Sequence, residues 1–187
     1  MKGKDVKQIL VTAISLFLIC AVSAGLVAVV NGVTAPAIKQ MEAETEKEAK
    51  QMLLPAAEDF EELAPAERKW VGKDKDGNVV GYVFVTAANG YNGKVEVMTG
   101  FTPEGAVTGV EFLTLNETPG LGMKAPKVLP EQIKNQTGEL TVVKTAPENE
   151  GDVQAITSAT ITSKAVVKAV NDARALFEAA TGKEAAK

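Results

Sequence analysis

The sequence predicts an α+β chain: an N-terminal single transmembrane helix and helical stalk, then an antiparallel-sheet domain with packed helices. Three observations carry that reading. Ile9 to Val30 is an uncharged, mostly apolar run. Two pairs of β-rich segments each flank a glycine-containing turn, and Ile161–Ala180 repeats its apolar residues at helical spacing. At 187 residues the chain has room for one globular domain plus accessories.

The apolar run holds 22 residues. At about 1.5 Å per helical residue it crosses a hydrocarbon core of roughly 30 Å. Lys2, Lys4 and Lys7 precede it against Asp5 alone, and the first charge beyond it is Lys39. The positive-inside rule therefore expects residues 1–8 as a cytoplasmic tip, 9–30 as a single membrane pass, and the remainder outside the cytoplasm. Ala21-Val22-Ser23-Ala24 offers a rival reading as a signal-peptide cleavage site, but the run continues well past the 7–15 residues usual for such a segment. Ile19 argues against a lipoprotein site at Cys20, which is expected to pack as a small hydrophobe. After Pro36, Ala37–Leu54 is rich in Ala, Glu, Lys and Gln and reads as a polar stalk helix ending before Pro55. Glu58–Ala66, broken by Pro65, reads as a loop or a short helix and completes a stalk and linker over 31–66.

Residues 67–180 are expected to form the globular domain, with 181–187 as a tail. Arg68–Lys73 and Val79–Ala87 flank the turn Asp74-Lys75-Asp76-Gly77-Asn78, and Lys94–Phe101 and Ala106–Leu115 flank Thr102-Pro103-Glu104-Gly105. These predict an antiparallel sheet of at least four strands. Lys127–Asn135 reads as a short helix and Glu139–Lys144 as a fifth strand. In Ile161–Ala180, Val166, Val167, Val170, Ala173, Leu176 and Phe177 form the face that packs on the sheet.

Composition narrows the chemistry. The chain has no histidine and one cysteine, which removes a histidine base, His/Cys zinc sites, haem attachment through C-x-x-C-H, cysteine-ligated iron–sulfur clusters and any intrachain disulfide. Redox work would need an organic cofactor. Of the net charge of −4, the first eight residues contribute +2, so the rest carries −6. An acidic body argues against nucleic-acid binding. No strand-linked G-x-G-x-x-G marks an NAD site.

Three segments hold the candidate chemistry: Asn89-Gly90-Tyr91-Asn92-Gly93, Asn116–Met123, and Asp152–Thr160. Thr118-Pro119-Gly120-Leu121 has Pro and Gly where a type II turn wants them, and Gly122 permits close approach of another group. Thr157-Ser158-Ala159-Thr160 opens the last helix. It reads either as a helix cap or as a phosphate holder, since helix N-termini present free N–H groups and a positive dipole end. Taken singly, the segments read as a hairpin loop, a strand-end turn and a cap.

Glu117-Thr118-Pro119-Gly120-Leu121-Gly122 followed by Asp152 and Thr157-Ser158-Ala159-Thr160 resembles the FMN-binding domain family. With the basic tip, membrane helix and stalk, essentially the whole chain resembles, more narrowly, the G subunits of the Rnf ion-translocating ferredoxin:NAD⁺ oxidoreductase. That resemblance implies FMN bound covalently by a phosphoester to Thr160, the final residue of a Ser/Thr-Gly-Ala-Thr pattern in which Ser158 stands where glycine is commoner. It implies a cofactor site of Thr157, Ser158, Ala159, Thr160, Glu117, Thr118, Gly120, Leu121, Gly122, Met123 and Tyr91, with no catalytic residue beyond the flavin and no metal. Leu121 and Met123 would form an apolar wall, Tyr91 would stack on the ring or pack in the core, and Glu117 and Lys124 would tune the potential. Thr162, Ser163 and Lys164 add hydroxyls and a positive charge near the phosphate. Asp152 matches an acidic position read by a dedicated flavin transferase. The implied role is electron transfer at the cell membrane, with other Rnf membrane and iron–sulfur subunits and the flavin transferase as partners. Two alternatives stand beside it: the C subunit of Na⁺-translocating NADH:quinone reductase, whose chains are longer, and a non-redox membrane-anchored assembly or binding protein.

Overall fold

The computed structural model describes residues 3–64 and 68–182. Met1 and Lys2 of the expected tip, residues 65–67 at the expected linker and domain boundary, and 183–187 of the expected tail lie outside them. The first helix, α1, covers Gly3–Leu53 without interruption. It continues through Pro36, so the membrane helix expected over 9–30 and the stalk helix expected over Ala37–Leu54 are one element. An interior proline costs about 3 kcal/mol, and helix-forming residues on both sides outweigh one such cost.

The chain divides into two compact units, Met1–Glu44 and Thr45–Lys187. Within the first, Ile9, Leu16, Phe17, Val27 and Val30 expose their apolar side chains. Among the described residues, Lys7–Leu53 is the one helical stretch long and apolar enough to cross a membrane.

The second unit is built on a five-stranded antiparallel meander: β1 (Asp59–Ala64), β2 (Lys69–Lys73), β3 (Val79–Asn89), β4 (Lys94–Phe101) and β5 (Val107–Thr114), in that spatial order. A single 3₁₀ turn at Gly122–Lys124 leads into α2 (Ala125–Ile133). Two three-residue strands, β6 (Thr141–Val143) and β7 (Asp152–Gln154), pair in parallel apart from the main sheet, and α3 (Thr160–Thr181) closes the fold. Two expectations need correction. The fifth strand of the sheet is β1, within the segment that reads as a loop or helix, while β6 belongs to the small second sheet. The acid-rich β1 is strand because β2 pairs with it, Phe60 opposite Gly72, and because Phe60 packs against buried Leu54 and Trp70.

Both faces of the sheet are covered, so its strands bury residues of either parity. Phe84, Val97, Phe101 and Val107 meet α3 through Val166, Val170, Ala173 and Phe177, and α2 through Leu129 and Ile133. The Phe177 ring stacks 5.2 Å from Phe101 and lies edge-on to Tyr82 at 5.5 Å. On the opposite face, Val83, Met98 and Trp70 pack against Ala49 and Leu53 of the last turns of α1, and against Leu54 and Ala57. Glycines make room there. A Cβ on Gly81 would lie 2.5 Å from Leu54 Cδ2 and from the Phe101 carbonyl oxygen, and one on Gly109 would lie 3.0 Å from Leu53 Cδ2.

Between α2 and α3 the backbone has little regular pairing, and side-chain amides take over. Asn171 accepts the Leu140 N–H at 3.0 Å and donates to the Leu140 carbonyl at 2.9 Å. Gln132 accepts the Gln154 N–H at 2.7 Å, and Gln136 accepts that of Gly151 at 3.0 Å. The buried Arg174 donates to the carbonyls of Gly105, Gln136 and Thr137, which fixes two loops to α3.

Truncating Leu53 to Ala removes a side chain only 3 % exposed from a close-fitting socket. The expected loss is about 2–5 kcal/mol. It is read by urea unfolding followed on Trp70, the only tryptophan and a member of the same cluster. An unchanged midpoint would contradict the packing described.

Candidate functional site

The last helix begins at Thr160, with Ala159 as N-cap and no side-chain cap. Thr157, Ser158 and Thr160 therefore do not cap α3, and its first N–H groups are left without a side-chain acceptor. The preceding turn is closed by the Ala159 N–H donating to the Ile156 carbonyl at 2.9 Å. Ser158 occupies the third position of that turn at φ +64°, the left-handed conformation a type II turn requires there. Ser163 locks the turn from inside. Its fully buried hydroxyl donates to the Ala159 carbonyl at 3.1 Å and accepts the Ile156 N–H at 3.0 Å. Ser163 is thus spent on the backbone rather than offered to a ligand.

The second segment folds as its residues demand. The Leu121 N–H donates to the Thr118 carbonyl at 3.1 Å, with Gly120 at φ +77°. Glu117, just ahead of the turn, is 5 % exposed. Its Oε1 accepts the backbone N–H groups of Tyr91 at 2.8 Å and Asn92 at 3.3 Å. A side chain on Gly90 would collide with that oxygen, so glycine there lets the β3–β4 loop close onto the carboxylate. Gly122 is buried, and a Cβ on it would lie 2.7 Å from Glu117 Cβ and 2.8 Å from Thr162 Oγ1.

These segments converge on a cleft of about 510 Å³ lined by Tyr91, Glu117, Thr118, Leu121, Gly122, Ser158, Ala159, Thr160, Ile161 and Thr162. That volume suits a small-molecule ligand. Thr157, Gly120 and Met123 do not line it, nor do Lys124 and Lys164. Tyr91 is 70 % exposed, so it stands at the mouth rather than in the core; Leu121 and Ile161 continue the apolar wall. Ile161 escapes the sequence reading because an apolar residue in the first turn of an amphipathic helix looks like core. Among the described lining residues Glu117 is the single charge. An anion placed beside Thr160 would therefore meet the N–H groups and dipole of α3 rather than a basic side chain.

Asp152 faces other work. Its Oδ2 accepts the N–H of Asn149 at 2.9 Å and of Glu148 at 3.1 Å, and these bonds hold its carboxyl below the ordinary range. A depressed carboxyl stabilises the fold above its unfolded pKa, and that contribution is lost as pH falls through the folded one. Its carboxylate closes the turn entering β7, outside the cleft lining.

Ser158→Gly relieves a left-handed residue and is expected to raise stability by about 1 kcal/mol, read as a higher unfolding midpoint; a lower midpoint would count against the strain.

Residues 90–175 match the FMN-binding domain family and residues 1–51 match the RnfG N-terminal region. A relative in Acetobacterium woodii, the G subunit of a Na⁺-translocating ferredoxin:NAD⁺ oxidoreductase complex, is 39 % identical over 89 % of this chain and 90 % of its own. The G subunit of the proton-translocating ferredoxin:NAD⁺ oxidoreductase complex of Clostridium ljungdahlii is 33 % identical over 92 % and 93 % of the two chains. The G subunit of an ion-translocating oxidoreductase complex of Methanosarcina acetivorans is 34 % identical over 90 % and 94 %. With matches of this extent to both its membrane-proximal region and its cleft-bearing domain, the chain belongs to the G-subunit family of the Rnf ion-translocating oxidoreductase complexes.

Proposed function

We propose that this chain is an electron-transfer subunit of a membrane-bound ion-translocating ferredoxin:NAD⁺ oxidoreductase, and that it carries FMN on Thr160 through a phosphoester bond. One observation supports the attachment most: Thr160 lines the cleft at the start of a helix that no side chain caps. A phosphodiester there meets the free N–H groups and positive dipole end of α3. FMN, when bound, supplies the redox chemistry that a chain without histidine and with one cysteine lacks.

The residues around that point divide the remaining work. Tyr91, Leu121 and Ile161 offer an apolar wall to a flat aromatic ring. Glu117 holds the Tyr91 loop against the Thr118–Leu121 turn through its two accepted N–H bonds, so the wall keeps its shape. Ser163 fixes the 156–159 turn and with it the approach to Thr160.

The apolar part of α1 would anchor the chain by a single pass in the cell membrane, with the N-terminus cytoplasmic and the cleft-bearing domain outside, as the lysines ahead of the run favour. A flavin transferase would load Thr160. Membrane and iron–sulfur subunits of the same complex would be its partners, in keeping with the complexes for which its relatives are named.

Thr160→Ala, co-expressed with a flavin transferase, is expected to abolish the ultraviolet-excited flavin fluorescence of the denatured band on a gel. A band that stays fluorescent would overturn the attachment.

A further inference from the structure

The cleft has a basic rim on an acidic chain. Within five positions of its lining residues the sequence holds four lysines, Lys94, Lys124, Lys127 and Lys164, and two acids, Glu96 and Glu117. That neighbourhood nets +2, and the rest of the chain −6. Both acids are already engaged. Glu117 is buried under the Tyr91 and Asn92 N–H groups, and Glu96 pairs with Arg68 at 3.0 Å and with Lys94 at 3.6 Å. Lys124, Lys127 and Lys164 are exposed, and among the described residues none of them has an ion-pair partner, Glu131 farther along α2 included. They are also rooted close together. Packing of Gly122 against Thr162 joins the two elements, since a Cβ on Gly122 would lie 2.8 Å from Thr162 Oγ1. Lys124 and Lys164 each follow that contact by two residues, and Lys127 stands one helical turn beyond Lys124. Exposed Met123, Val128 and Ile161 lie between them in the sequence of the rim. Gathering like charges without acids costs stability, and nothing in the fold offsets that cost here.

We propose that this rim is a docking surface for the acidic face of a redox partner protein. The inference rests on the electron-transfer reading above and adds to it the place and the charge of the partner. Three arguments select that occupant. No lysine lines the cleft, so the charges act on something larger than a ligand held within it. They flank an open mouth, where Tyr91 and Ile161 are 70 % and 54 % exposed, so a protein drawn to them is brought against the exposed wall. Contacts between redox proteins are typically small, and complementary charge sets their orientation and encounter rate more than buried area does. An anionic bilayer fits less well. Polybasic membrane sites gather about four to eight Lys or Arg, and the negative remainder of this chain opposes approach to such a surface.

The test compares the full chain in its membrane-bound complex with the full chain alone in nanodiscs. A carbodiimide, which joins an amine directly to a carboxylate, is applied to the complex and the linked peptides are identified by mass. Lys124, Lys127 and Lys164 are expected to link to Asp or Glu of a cofactor-bearing subunit. Lys75, in the β2–β3 turn at the far end of β3 from Tyr91, should link only within its own chain, where it pairs with Glu58. Hydroxyl-radical footprinting of Met123 and Tyr91 then reads the face itself. Both are expected to be protected in the complex and reactive in the chain alone. Lys124→Glu, Lys127→Glu and Lys164→Glu combined should abolish that protection, and the three Lys→Arg changes should keep it. Absence of links to another chain overturns the proposal, as does protection that survives the Glu variant. Protection of the chain alone in phosphatidylglycerol nanodiscs, but not in phosphatidylcholine ones, overturns it in favour of a lipid surface. None of these readouts needs flavin, and the mass of the peptide containing Thr160 reports attachment separately, so either idea can fail without the other.

Discussion

The register of α3 against β3 is the constraint on which the cleft depends. The Thr86 hydroxyl donates to the Ala169 carbonyl at 2.7 Å, and Tyr82 meets Phe177 at 5.5 Å between ring centroids. From Ala169 to Phe177 the helix advances about 12 Å, and from Thr86 back to Tyr82 the strand covers about 13 Å. The two elements therefore run alongside one another in opposite directions, almost in step. Continuing from Ala169 back to Thr160 covers about 13.5 Å of helix, which on β3 leads from Thr86 to Gly90 at about 13 Å. Burying the apolar face of α3 on the sheet thus delivers the helix start to the β3–β4 loop. Tyr91 and Thr160 line one cleft because Phe177 and Ala169 are fixed far from it.

That arrangement leaves polar groups to be satisfied in a place where neither ladder nor helix can reach. Glu117 answers for the Tyr91 and Asn92 N–H groups, and the Ser163 hydroxyl for the Ile156 N–H. Each joins backbone that regular structure leaves open, and each is buried. The contrast with the first N–H groups of α3 is informative. A chain that places Asn171, Gln132 and Gln136 so carefully on lone backbone groups leaves the helix start next to Thr160 without a side-chain acceptor. Conventional capping by Ser, Thr, Asp or Asn typically contributes about 1 kcal/mol, and hydroxyl residues stand at 157, 158 and 160 without providing it.

Much of this was readable from residue order. The Lys94–Phe101 strand alternates toward two cores and has turn residues on both sides, so local pattern and tertiary environment agree. Pro119 and Gly120 likewise specify their turn by backbone restriction alone, and Gly120 adopts the left-handed φ foreseen. What local pattern missed depends on distant partners. β1 is acidic and short, and it becomes strand through its pairing with β2. β7 has three residues, too few for any periodicity to register, and β6, expected as a strand within Glu139–Lys144, takes its place in the small second sheet only through its pairing with β7. The burial of Glu117 has no local sign, because glutamate is ordinarily exposed and its two donors lie about 25 positions upstream. The left-handed conformation at 158 was masked because serine occupies it; a glycine would have announced the turn. Thr160 itself was singled out by family resemblance, since its neighbours Thr157, Ser158 and Thr162 offer the same hydroxyl chemistry.

The openness of the cleft bears on why a tether would be used at all. Its apolar wall is half-exposed or more at Tyr91 and Ile161, and no basic side chain among the described residues lines it. A flat ring resting on such a wall buries only part of its surface, and a phosphate held by N–H groups alone competes directly with water. Reversible binding to that geometry is weak, because affinity grows with the surface enclosed and with charge pairing kept from solvent. The proposed bond to Thr160 would change the reference state. Each departure of the ring from the wall would then end in return from an effective concentration on the order of millimolar. The wall can stay exposed, which leaves the ring edge accessible to a redox partner. An enclosed pocket would provide affinity by shutting that partner out. On this view the uncapped start of α3, the open mouth at Tyr91 and the attachment proposed at Thr160 would answer one physical requirement: retention without enclosure.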